Sequence, residues 1–130
     1  MATELTVKVP NRIGQLAAIS GALADAGVNI ATLAGSALGG KGLIHVVVAD
    51  KDAAKARRAL KAAKLRVASD RKVIEVRLAD RPGSLARLAK RLAKARVSVD
   101  SAYMLGTGKN STTLALGVKD TRKANRALGR

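Results

Sequence analysis

Leu5-Thr-Val-Lys-Val-Pro-Asn-Arg-Ile-Gly-Gln-Leu16 returns later in the chain as Ile74-Glu-Val-Arg-Leu-Ala-Asp-Arg-Pro-Gly-Ser-Leu85. A repeat of this kind decides the fold, because each copy must be one supersecondary unit. Working outward, the register holds: Ile19 falls on Leu88, Leu23 on Leu92, Ala26 on Ala95, Val28 on Val97 and Ile30 on Val99. It shifts only after a glycine-rich turn, where an insertion of one residue sets Ile44, Val46 and Val48 on Leu114, Leu116 and Val118.

Both copies read in the same order. Alternating apolar residues (Leu5, Val7, Val9; Ile74, Val76, Leu78) mark a half-buried strand. After a short loop the apolar spacing turns helical, through Leu16, Ile19, Leu23, Ala26 and through Leu85, Leu88, Leu92, Ala95. Second strands are expected at Val28–Leu33 and Val97–Leu105, glycine-containing turns at 39–42 and 106–111, and third strands near 43–49 and 112–118. Asp50 or Asp52, and Asp120 or Thr121, are placed to cap a short second helix. Leu65–Ser69 supplies a fourth strand to the first copy, and the second copy reaches Arg130 without one. The expected fold class is therefore α+β: two ferredoxin-like βαββαβ units, 1–69 and 70–130, each an antiparallel sheet with both helices on one face, the second lacking its last strand. Units this small are marginal alone. The open edge left by a missing strand would seek a partner, so pairing of the copies and a homodimer are expected.

Composition narrows the function. With no Cys there is no disulfide, thiolate metal site or cysteine nucleophile, and one histidine, His45, excludes a multi-His cluster. The chain is 48% hydrophobic but its one aromatic residue is Tyr103, so the core must be aliphatic. The N-terminus lacks signal-peptide features and no stretch is apolar enough to span a membrane, which makes a soluble cytoplasmic protein the expectation. Against 9 acidic residues stand 25 Lys and Arg, a net charge of +16 that attracts polyanions without naming one. On the first helix of the second copy Arg87, Lys90, Arg91 and Lys94 read as a solvated face.

The loops Asn11–Leu16 and Asp80–Leu85 carry the candidate chemistry. Their glycines, Gly14 and Gly83, permit a tight turn and a close approach of another group. Directly behind lies a helix start with unpaired N–H groups, a seat for a carboxylate. At these loops the sequence resembles the ACT domain family of small-molecule sensors. The resemblance rests on Asn-Arg-Ile-Gly-x-Leu followed by Ala26-Gly-Val-Asn-Ile30, and on Asp-Arg-Pro-Gly-x-Leu followed by Ala95-Arg-Val-Ser-Val99. It implies binding of amino acids or similar metabolites at interfaces between units, usually to regulate an enzyme or transcription. By position it implies a ligand site at Asn11, Arg12, Ile13, Gly14, Gln15, Leu16, Asn29 and Ile30, and at Asp80, Arg81, Pro82, Gly83, Ser84, Leu85, Ser98 and Val99. Asn11 and Asn29 match the two asparagines of serine-sensing members. Ile13 departs from the usual Pro, Val9 and Leu78 from the ligand-binding His, and Asp80 and Ser98 from the asparagines. Asp80 or Asp100 could face a ligand amine.

Other signals lead elsewhere. Gly106-Thr-Gly-Lys-Asn-Ser111 is a hairpin rather than a P-loop, since Tyr103 and Asn110 stand where Gly and Ser/Thr are needed. His45 reads as a strand residue and Tyr103 as packing or interface. No residue pair has acid/base spacing, so the expectation is a non-enzyme with no cofactor and no membrane partner. Two alternatives stay open: a basic ferredoxin-like sheet that binds nucleic acid, and a regulatory subunit docking an acidic enzyme. The lone Tyr103 cannot build the base-stacking platform that sheet-based RNA readers use.

Overall fold

The computed structural model describes residues 2–130, which divide into two compact units with the boundary between Lys72 and Val73. In the first, β1 (Ala2–Pro10) leads to α1 (Gln15–Asp25), then β2 (Thr32–Leu38), β3 (Lys41–Ala49), a 3-10 turn at Asp50–Asp52, α2 (Ala53–Ala62) and β4 (Arg66–Ala79). The strand order β2-β3-β1-β4 is that of a split βαβ sheet. Directly opposed pairs Leu5/Val46 and Val7/Ile44 present one face to the helices. There they meet Ile19 and Leu23 of α1 and Ala53, Ala56 and Leu60 of α2 in one core. Full burial of a side chain such as Leu23 stabilises by about 1.5–3 kcal/mol.

The second unit takes the end of β4 as its first strand and adds α3 (Ser84–Lys94), β5 (Val99–Gly108), β6 (Ser111–Val118) and α4 (Thr121–Ala127). Its order is β4-β6-β5, and Ile74, Val76, Leu114 and Leu116 pack against Leu88, Leu92 and Ala124. Two tandem α+β units built of antiparallel strands and four helices are what the repeat implied.

Four local expectations are corrected. The second strand of the first copy begins at Thr32, not Val28: the Val28 N–H bonds the Leu23 carbonyl at 2.9 Å and closes α1, so 28–31 only cross from helix to sheet. The strand expected at 65–69 and that at Ile74–Leu78 are not two strands: one strand, Arg66–Ala79, runs through both, because 70–73 hold no turn and Val73 is buried. The extra residue of the second copy is absorbed by an irregularity in β5 between Met104 and Gly106, before the hairpin rather than after it. Both hairpins keep two-residue turns, Gly39-Gly40 between Leu38 and Lys41 and Lys109-Asn110 between Gly108 and Ser111. Finally, Asp120 caps α4 by accepting from the Lys123 N–H at 3.0 Å, but neither Asp50 nor Asp52 caps α2. Asp50 is drawn away by the Thr3 hydroxyl at 2.6 Å and the Lys72 ammonium at 3.1 Å.

Candidate functional site

Each repeat loop is built the same way. The N–H of its first residue is tied to the neighbouring hairpin: Asn11 to the Gly40 carbonyl at 2.9 Å, Asp80 to the Asn110 carbonyl at 3.0 Å. Three residues on, the chain turns through Gly14 (φ 94°) and Gly83 (φ 92°), left-handed positions that favour glycine. The Gly14 and Gly83 carbonyls then accept the first helical bonds, from Ala18 and Arg87. Neither helix has a side-chain cap, so the start of α1 presents free amide N–H groups.

In the first unit this loop borders a cavity of about 390 Å³. Its rim holds Asn11, Arg12, Gln15 and Leu16, and β2 contributes Leu33. The space exists because two strand positions beneath it are bare. A Cβ at Gly35 would come within 3.3 Å of the Ile44 side chain, and one at Gly42 within 3.3 Å of the Val9 side chain. Leu16, which continues the apolar spacing of α1, is 54% exposed and lines the cavity. Arg12 supplies a positive charge, and no carboxylate lines the cavity.

Of the first-copy residues, Asn11, Arg12, Gln15 and Leu16 are brought together at this cavity, with Gly14 behind them as the helix start. Ile13 projects fully into solvent, and Asn29 and Ile30 lie on the crossing 28–31, off the cavity lining. The Asn11 amide also donates to the Gly39 carbonyl at 3.2 Å, bracing the hairpin. Gly35, Gly42 and Leu33 were not read as site residues in the sequence; the signal for the two glycines was glycine inside strands, which often marks a close approach.

The second copy is not equivalent. Met104 and Thr112 occupy the positions of Gly35 and Gly42, opposite Leu114 and Leu78 respectively. Thr112 is buried and donates to the Gly106 carbonyl at 3.2 Å. Asp80, Arg81 and Pro82 are exposed, as is Leu85, while Ser84 is buried within reach of Arg87 Nη2 at 3.4 Å. Gly83 lies so close to Arg87 that a Cβ would meet its guanidinium at 3.1 Å. Ser98 donates to Asp100 at 3.3 Å, and Val99 is 41% exposed.

Elsewhere in the first unit, the face of the sheet turned from the helices carries buried Glu4. Arg71 lies 3.5 Å and His45 3.9 Å from its carboxylate, and His45 shares a 2.9 Å hydrogen bond with the Thr6 hydroxyl. That face also borders a cavity of about 630 Å³ with Lys8, Lys41 and Arg66 in its lining, adjoining the loop cavity through shared Val9, Pro10, Ser36 and Gly42. Among the described residues no group of three or more carboxylate or histidine side chains is placed to hold a metal ion. Among the described residues no helix is long and apolar enough to cross a membrane.

Comparison with known proteins agrees with the repeat. The family model of the ACT domain matches residues 3–64 and again 72–129. No curated protein matches by sequence. Among solved structures, a protein from Bacteroides thetaiotaomicron superposes with a TM-score of 0.83 at 22% identity, over 98% of this chain and 85% of that one. The ligand-free regulatory subunit of aspartate kinase from Thermus thermophilus gives 0.73 at 17% identity, over 98% and 89%. Its counterpart from Thermus flavus gives 0.74 at 15%, over 98% and 90%. At these identities the structures are similar in fold.

Proposed function

The chain belongs to the ACT domain family, and on that premise we propose that it is a non-catalytic sensor of an amino acid or similar small metabolite. The observation that carries the reading is the cavity at Asn11–Leu16, floored by Gly35 and Gly42 and present beside the uncapped start of α1. A ligand carboxylate would sit on the amide N–H groups of that helix start, beside Arg12. The Asn11 side-chain oxygen is left to meet an amine, and Leu16 and Leu33 provide apolar cover for a side chain. The first unit is the binding unit in this reading; the second, with Met104 and Thr112 in the glycine positions, is not.

Binding at an open cavity is completed by a partner surface. Strand β2 is outermost in its sheet, bears no charged residue and exposes Leu33 and Leu38. We therefore propose a homodimer joined along β2, acting on an enzyme or regulator in the cytoplasm. The structural neighbours include regulatory subunits of aspartate kinase, which supports a regulatory role without naming this chain's target. A nucleic-acid reading has the net charge of +16 in its favour, but Tyr103 is buried and offers bases no stacking surface.

The test is a thermal-shift panel of the twenty amino acids. A ligand at about 100 times its Kd should add about 2.7 kcal/mol. Leu16→Asp should abolish that shift, because it sets a carboxylate where the ligand's would lie. The same change suits a helix first turn, so the protein should stay folded. A panel without any shift, or a shift that survives Leu16→Asp, would remove the support for this site.

A further inference from the structure

The charge run on α3 does more than keep a helix face in water. A cavity of about 510 Å³ in the second unit is lined by Val76, Leu88 and Leu128 together with four arginines: Arg77, whose guanidinium bonds the Ser111 hydroxyl, and Arg87, Arg91 and Arg130. The guanidinium groups of Arg87, Arg91 and Arg130 bond only neutral acceptors. Arg87 Nη2 reaches the Ser84 hydroxyl at 3.4 Å, Arg91 Nη2 donates to the Ala127 carbonyl at 2.9 Å, and Arg130 Nη2 to the Glu75 carbonyl. Among the described residues no carboxylate lies within ion-pair distance of any of them.

This arrangement works against the fold. Arg87 and Arg91 are like charges one helical turn apart, on a helix with no acidic residue. Arg87 also sits near the N-terminal end of α3, where the helix field is already positive. The fold does not require either residue, because Ala18 and Ala22 stand at the equivalent places in the first copy. Arginine forks over an apolar floor are suited to a phosphate-bearing ligand: the forks bind phosphate oxygens two at a time, and the floor accepts a ring. A volume of this size fits a small organic molecule.

We propose that this cavity binds an organic polyphosphate of nucleotide size, with Arg87, Arg91 and Arg130 holding adjacent phosphates. The site is separate from the amino-acid cavity and does not depend on it. Calorimetric titration of the full chain with ATP and with pyrophosphate, at ~150 mM salt to screen diffuse attraction, should give saturable binding of one ligand per chain. Equal affinities would mean that the phosphates alone are read, and tighter ATP binding that the apolar floor takes the nucleoside; both support the site. Arg87→Gln with Arg91→Gln, both at exposed positions, should weaken binding at least about ten-fold. The charge-matched pair Arg58→Gln with Lys61→Gln, exposed on the first unit, should change it by less than about two-fold. Absence of saturable binding, or equal weakening by both pairs, would overturn the proposal. A single-stranded oligonucleotide that outcompetes ATP and loses affinity equally in both pairs would also overturn it, in favour of a diffuse nucleic-acid surface.

Discussion

Asp50 shows how one residue's neighbours decide its behaviour. Burial works to raise its carboxyl, but the Thr3 hydroxyl and the Lys72 ammonium outweigh that and hold it below its ordinary value of 3.8. A carboxylate that is more acidic in the folded state contributes stability above its unfolded pKa and loses it as pH falls through the folded one. Chemical denaturation at neutral pH and again below pH 3.8 should therefore show a smaller acid-induced loss for Asp50→Asn than for the parent. From the sequence, Asp50 looked like a helix cap, a role set by position along the chain. Its actual partners, Thr3 and Lys72, are far away in sequence, which local spacing cannot reveal. The two loop glycines were legible for the opposite reason: a left-handed turn is a local demand that glycine alone meets cheaply.

At the scale of elements, the helices followed their apolar spacing closely and the strands less so. Helix ends were readable because they are closed locally. After α1 and α3 the Val28 and Val97 N–H groups reach back to Leu23 and Leu92, across a left-handed residue. That residue is Gly27 (φ 72°) in one copy and Arg96 (φ 60°) in the other. A Cβ at Gly27 would meet nothing within 4 Å, so Gly27→Ala tests backbone strain alone and should cost about 1 kcal/mol. Arg96→Gly should act with the opposite sign; urea midpoints at constant slope would read both. Strand limits were harder. Whether 70–73 turn or run straight depends on what buries Val73, and where β5 takes up its extra residue depends on pairing with β6. Neither is encoded in a period-two pattern.

For the whole molecule, the repeat was enough to establish two α+β units and their aliphatic cores. Association is the property that follows next. At micromolar concentration sedimentation equilibrium should give twice the chain mass, and Leu38→Lys, at a position 89% exposed on β2, should return the monomer mass. Retention of the dimer by that variant would move the proposed interface away from β2. The sequence alone settled the order of elements, the core-facing alternation and the loops Asn11–Leu16 and Asp80–Leu85, because each rests on interactions between near neighbours in the chain. It could not show that Gly35 and Gly42 lie beneath the first loop while Met104 and Thr112 stand at those register positions in the second. Nor could it show that Arg87 and Arg91 of the basic run share one cavity with Arg77 and Arg130. Those features are volumes bounded by residues dozens of positions apart, and they exist only once the strands have paired in register.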